Sequence, residues 1–134
     1  MNEVIARLRN PDPGVSVHVR SHELVADVLP PSGRDAGPTP HDLYDAALAS
    51  CKAITVALYA ARKGIAVEDV EVRVERDSSR ERDGVYTLSV RLRIGGPMSE
   101  PQLRELESVA LKCPIHKLMT LAQTAISTTV ERMV

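Results

Sequence analysis

Cys51 and Cys113 are the only thiols in this 134-residue chain, and each stands where a purely structural cysteine would be an odd choice. Cys51 lies mid-way along the apolar run from Leu43 to Lys63, and Cys113 directly precedes Pro114. Together they suggest a dithiol site. They are too far apart in sequence for a C-x-x-C redox motif or a zinc knuckle, so any pairing has to be made by the fold. Each could equally serve as a small buried hydrophobe, since cysteine is among the most often buried residue types. His116 forms C-x-x-H with Cys113, which is half of a metal site or a base beside a thiol. The other half is missing, and His18, His22 and His41 are scattered, so no metal is expected.

The reactive form of cysteine is the thiolate, which helix N-termini and neighbouring cations favour. Local sequence offers the first of these to Cys113. Cys51, inside an apolar helix, has no free backbone N–H groups to use and depends on a cation delivered by the fold. Arg20 is the leading candidate, because it extends the polar face of an alternating strand in apolar surroundings; Arg34 and Arg9 follow. An arginine is ordinarily a solvated surface charge, and all three have that simpler reading. Asp42, in Pro40-His41-Asp42-Leu43, either caps the helix or orients an arginine. Ser50 lacks the flanking glycines of a nucleophile elbow, and no phosphate-binding glycine loop occurs.

Positioning these groups calls for a mixed fold. Val15, Val17 and Val19 alternate with Ser16, His18 and Arg20, the period of a half-buried strand, and Glu3 to Arg9 is its expected hairpin partner across the Pro11-Asp12-Pro13-Gly14 turn. After Leu24 to Val28 comes a proline-rich loop, Leu29 to Pro40, of a length that is often functional. Leu43, Ala47, Cys51, Ile54, Leu58, Ala61 and Ile65 then recur at steps of three and four, and Tyr44, Leu48, Thr55 and Tyr59 add a second uncharged stripe. The helix is therefore expected to be central and covered on more than one side, with Gly64 as its stop. Val70, Val72 and Val74, then Leu88, Val90, Leu92 and Ile94, alternate with polar residues as in an antiparallel hairpin with one wet face; the charged Asp77 to Gly84 segment reads as its solvated turn. Ser99 is the expected N-cap of a helix carrying Leu103, Leu106, Ala110 and Cys113, and Cys113 that of Pro114 to Ala122. Thr124 to Met133 reads as a closing strand. The whole of residues 1–134 is expected to be a single α+β domain, an antiparallel sheet wrapped around the helix that carries Cys51.

Composition narrows the partners. With 17 Lys and Arg against 18 Asp and Glu, no Trp, no Phe and three Tyr, the chain has neither a basic face nor aromatic platforms, so nucleic acid is not expected. The apolar run is interrupted by Lys52, Arg62 and Lys63, and no charged-then-apolar leader pattern opens the chain; no membrane association is expected, and a cytoplasmic setting with reduced thiols is.

Four segments in this order carry a resemblance: Gly37-Pro38-Thr39-Pro40-His41-Asp42-Leu43, Ala46-Ala47-Leu48-Ala49-Ser50-Cys51, Tyr59-Ala60-Ala61-Arg62-Lys63-Gly64, and Lys112-Cys113-Pro114-Ile115-His116. They resemble the OsmC/Ohr family of osmotically inducible and organic-hydroperoxide-resistance proteins. The stretch Arg20-Ser21-His22-Glu23-Leu24-Val25-Ala26-Asp27 is similar to the OsmC-like branch. The resemblance implies an intertwined homodimer with interfacial active sites, and a thiol peroxidase that reduces small organic hydroperoxides in oxidative-stress defence. Cys51 would be the peroxidatic thiolate and Cys113 the resolving thiol, with Arg20 and Asp42 as the arginine and carboxylate near the first cysteine. This order reverses the one that local sequence suggests. No bound cofactor is implied; an external dithiol or lipoyl-type reductant is. Two other readings keep the same fold: a binding protein for a small apolar ligand, and a redox-responsive interaction protein.

Overall fold

The computed structural model describes residues 3–133. Strand formation begins where the sequence alternates. β1 (Val4–Leu8) and β2 (Val15–Val19) pair antiparallel, with Val4 opposite Val19 and Leu8 opposite Val15. β3 (His22–Ala26) continues the meander on the other edge of β2, with Val19 opposite His22 and Val15 opposite Ala26. The two-residue β2–β3 turn requires a left-handed backbone, and Arg20 adopts it with φ of 55°. Beyond β3 the Asp27 carboxylate accepts hydrogen bonds from the N–H groups of Arg34 and Ala36, both at 3.0 Å, and the Asp27 N–H donates to the Pro38 carbonyl at 3.2 Å. These bonds fold the proline-rich loop back on the strand. Gly37 lies so close that a Cβ there would sit 2.1 Å from the Val25 carbonyl oxygen, which only glycine allows.

Helix α1 spans Pro40–Lys63. Thr39 caps it: its hydroxyl accepts the Asp42 N–H at 3.1 Å, while the Asp42 carboxylate accepts the Thr39 N–H at 3.0 Å. This reciprocal box, with Pro40 at the first helical position, satisfies two otherwise orphaned groups. Asp42 is thus the third residue of the helix rather than its cap. At the other end Gly64 turns left-handed with φ of 68°, and the Ile65 N–H returns to the Ala60 carbonyl at 2.9 Å.

The buried stripe of α1 differs from the one the periodicity favours. Asp45, Leu48, Lys52, Val56 and Ala60 are buried, whereas Ile54 and Leu58 are 58% and 60% exposed. The covered face therefore carries two charged residues, each with partners from other elements, and the more apolar seam that includes Cys51 is only half covered. Hydrophobicity alone selects the wrong stripe because polar groups that find hydrogen bonds can be buried at little net cost. By length and composition α1 could cross a membrane, but the interactions made by Asp45 and Lys52 belong to the interior of a protein.

β4 (Asp69–Asp77) and β5 (Thr87–Gly95) form a separate two-stranded sheet, and a 3-10 turn, Glu81–Asp83, lies in their charged connection. A bond from the Glu68 N–H to the Gly95 carbonyl, 2.8 Å, closes the open end of this hairpin. Along β5 exposed and half-buried residues alternate throughout, the one wet face that the sequence predicts. α2 (Glu100–Ala110) starts with a capping box between Ser99 and Gln102, and α3 (Pro114–Thr120) starts at Cys113. Thr124 to Met133 is the exception. It forms no strand and is exposed throughout, because a strand exists only where a neighbour completes its ladder.

By its internal contacts the chain divides into two compact units. One is the segment up to Ser50 together with Val72–Leu92, and holds the three-stranded sheet and the start of α1. The other is Cys51–Glu71 with the segment from Arg93 on, and holds α2, α3 and both cysteines. The largest fully buried side chains, Leu106, Val56 and Cys113, all belong to the second unit. The architecture is α+β.

Because Arg20 holds a conformation that costs a residue with a Cβ about 1 kcal/mol, Arg20→Gly is expected to stabilise the chain by roughly 0.5–1 kcal/mol. An equilibrium urea titration measures this; a lower midpoint in the variant would show that the arginine side chain contributes more to the turn than its backbone costs.

Candidate dithiol site

Both cysteines are free thiols, buried to different degrees. Cys51, in the middle of α1, is half-buried, and its sulfur lies 3.9 Å from the Thr55 hydroxyl one turn further on. Cys113 is completely buried. It holds an extended backbone as the N-cap of α3, as the following proline requires, and its sulfur accepts the His116 N–H at 3.4 Å. The expectation that this residue caps α3 is met, although the helix ends at Thr120.

The residue after Cys51 links the two thiol segments. Lys52 is 3% exposed, and its Nζ donates to the Ala110 carbonyl at 2.6 Å and meets His116 Nδ1 at 2.9 Å. Ala110 is the last residue of α2, a helix with no basic residue in its own last turn. Lys52 thereby supplies from α1 the positive charge that the carbonyl end of a helix favours. An ammonium group has only donors, so with Lys52 charged His116 is neutral, accepts at Nδ1 and carries its proton on Nε2. None of the ion pairs among the described residues includes Lys52.

In the other unit the Asp42 carboxylate pairs with Arg76, from β4, rather than with Arg20. The guanidinium also reaches Asp45, Nε to Oδ2 at 2.9 Å, and the Tyr86 hydroxyl donates to the same carboxylate at 2.7 Å. The Thr39 N–H and then Arg76 hold the Asp42 carboxyl below its ordinary value. Burial, followed by the bond to Asp45, pushes the Tyr86 hydroxyl up to about 12. Arg20 lies in its exposed turn, Arg34 is exposed in the proline-rich loop, and Arg9 donates to the Pro13 carbonyl at 2.9 Å. The charged β4–β5 connection is more than a solvated turn: Glu81 bonds His41 Nε2 at 2.8 Å. With Pro40, Tyr44 and Tyr86 these two residues line a mostly apolar cavity of about 350 Å³. No group of three or more potential metal ligands occurs among the described residues.

A family model described as OsmC-like protein matches residues 33–130, a span that includes both cysteines. The chain belongs to the OsmC-like protein family. A comparison with curated proteins gives no match. Among solved structures, this OsmC-like chain is similar to an OsmC-like protein from Mycoplasma pneumoniae, with 22% identity, a TM-score of 0.73, and coverage of 90% of this chain and 88% of that one. It is also similar to an organic hydroperoxide resistance protein OsmC from Legionella pneumophila, at 20% identity and a TM-score of 0.63 with 90% of each chain covered. The organic hydroperoxide resistance protein OhrB of Bacillus subtilis aligns at 21% identity and a TM-score of 0.59, over 90% of this chain and 91% of that one. At these identities the likeness is one of fold.

Three residues of this OsmC-like chain escaped the sequence reading. Lys52 counted there only as an interruption of an apolar run, yet a lone charge spaced four residues from both Leu48 and Val56 is the pattern of a buried, partnered cation. Asp45 stands three residues after Asp42 on one helix face, a pair that invites a guanidinium. Arg76, one of many charges in its segment, left no signal.

Asp42 offers a pH test. A carboxylate whose folded pKa is depressed adds stability that is fully present above its ordinary value, 3.8, and is lost as the pH falls through the lower folded value. Asp42→Asn is expected to lower the melting temperature at pH 7, with the deficit shrinking below pH 3.8. Melting curves followed by circular dichroism across that range check it; a deficit independent of pH would assign the loss to packing.

Proposed function

We propose that this protein is a thiol peroxidase for small organic hydroperoxides, with Cys51 as the attacking thiolate and Cys113 as the resolving thiol. The observation that carries this reading is the unequal burial of the two cysteines: Cys51 is half-buried, whereas Cys113 is completely buried. In the first step the Cys51 sulfur takes the terminal oxygen of the hydroperoxide; the O–O bond breaks, the organic part leaves as an alcohol, and Cys51 becomes a sulfenic acid. Cys113 then attacks that sulfur, an S–S bond replaces the S–O bond, and water departs. An external dithiol reduces the disulfide, so no bound cofactor is needed, and a cytoplasmic setting would keep the resting thiols reduced. The names of the Legionella and Bacillus relatives as organic hydroperoxide resistance proteins support the substrate class.

The working unit in this reading is a homodimer. Tyr44, Ile54 and Leu58 leave an apolar face of α1 open, and Ile126 and Val130, in the irregular segment after α3, are 83% and 93% exposed. Apolar area of this kind is what a second copy would cover. Arg76, paired with Asp42 and Asp45, and Arg20 are the two guanidinium groups to be tested as activators of Cys51. A binding role for a small apolar ligand is the alternative, favoured by the aromatic cavity beside His41.

Peroxide consumption by purified protein with a dithiol reductant separates the two readings. Cys51→Ser is expected to abolish turnover of cumene hydroperoxide, while Cys113→Ser undergoes one oxidation and stops at a sulfenic or over-oxidised product visible by mass spectrometry. Turnover of Cys113→Ser at the wild-type rate would end the resolving role. Slower alkylation of Cys51 in Arg76→Ala or in Arg20→Ala identifies the activating guanidinium, and light scattering that reports a monomer would remove the dimer.

A further inference from the structure

Lys52 is the buried titratable group that the reaction above leaves unused. It has no carboxylate partner in an ion pair among the described residues, and its two bonds go to uncharged acceptors on two different elements. A buried ammonium is tolerated only when its hydrogen bonds are made, so the cost of breaking them holds the end of α2 and the ring of His116 in place. His116 is also the residue whose backbone N–H bonds the Cys113 sulfur, at 3.4 Å. A continuous path of contacts therefore runs from the neighbour of one cysteine, through an imidazole, to the residue that holds the other.

We propose that Lys52 is a positioning residue for the second thiol: through His116 it fixes the start of α3 so that Cys113 closes the disulfide promptly once Cys51 is oxidised. The proposal rests on the two-cysteine reading and assigns it a device. The Cys113 sulfur, oxidised, forms a bond to the Cys51 sulfur, reduced from the sulfenic level; the S–O bond breaks, and the oxygen leaves as water with the proton that Cys113 gives up. Lys52 neither donates to nor accepts from the reacting atoms in this scheme. Its contribution is geometric, and misplacement of a reacting group by about 1 Å is enough to slow a step by one to two orders of magnitude.

The test separates the two half-reactions in the full-length protein. Lys52→Met and Lys52→Arg are mixed with one equivalent of cumene hydroperoxide, quenched at intervals with an alkylating agent, and analysed by intact mass without reductant. Lys52→Met is expected to lose the Cys51 thiol at close to the wild-type rate but to form the disulfide about tenfold or more slowly, and Lys52→Arg to recover part of that loss. Equal slowing of both steps, or unaltered closure, overturns the proposal. Where Lys52→Met does not fold, His116 carries the same test. His116→Leu removes the acceptor and should slow closure alone, and His116→Asn, whose side-chain oxygen replaces Nδ1, should restore most of the loss; failure of either overturns it. A parallel series oxidised with diamide distinguishes the layers: wild-type protein that ignores peroxide but closes its disulfide with diamide refutes the peroxidase reading and leaves the Lys52 comparison intact.

Discussion

A single ammonium group holds together the part of the molecule that bears the thiols. Lys52 leaves water almost completely, and among the described residues its partners are the last carbonyl of α2 and one ring nitrogen of His116. Hydrogen bonds to a charged group are worth about 1.5–3 kcal/mol each, and a buried charge deprived of them costs several kcal/mol. The three elements that meet there are thus constrained more tightly than apolar packing alone would constrain them. The buried apolar side chains of this unit, Val56, Ala60, Ile65, Leu106, Ala110 and Cys113, are compatible with several small displacements, but the lysine geometry is compatible with few.

The same logic operates in the other unit with carboxylates in place of a cation. Asp42 is engaged twice, by the Thr39 N–H as part of the helix start and by Arg76 from β4. Asp45 is engaged by Arg76 and by Tyr86. The first turns of α1 are thereby tied to the β4–β5 hairpin through charge-assisted bonds, which are shorter and more directional than neutral ones. Asp27 performs a comparable task for the proline-rich loop, accepting two backbone N–H groups from it. Each of these acidic residues organises backbone or guanidinium groups close by, and Asp27 and Asp42 stand at element boundaries.

Much of the secondary structure was legible because its causes are local. The alternation of Val15, Val17 and Val19 marks β2; Ser99 marks the start of α2 as its cap; Pro114 forces Cys113 out of helical geometry and into a cap. The closing strand from Thr124 failed for the opposite reason. Its residues favour a strand, but a ladder needs a second edge, and that is a property of the assembly rather than of the segment. The side of α1 that is covered was also misread, since Ile54 and Leu58 are more apolar than Asp45 and Lys52 yet are the more exposed.

By itself the sequence determined that two thiols sit in different settings, one mid-helix and one before a proline, and its motifs identified the OsmC/Ohr resemblance. It also determined the order of the elements as far as α3, the caps at Ser99 and Cys113, and the α+β class. Only the tertiary structure decided which guanidinium meets Asp42, that Asp45 and Lys52 lie on the covered face of α1, and that Lys52 joins the end of α2 to His116. The physical reason is range. Caps, turns and periodicity depend on neighbours within one or two turns of chain, whereas an ion pair or a buried ammonium is settled by whichever distant group the fold brings within hydrogen-bond reach, and many charges in a sequence are chemically equivalent until it does.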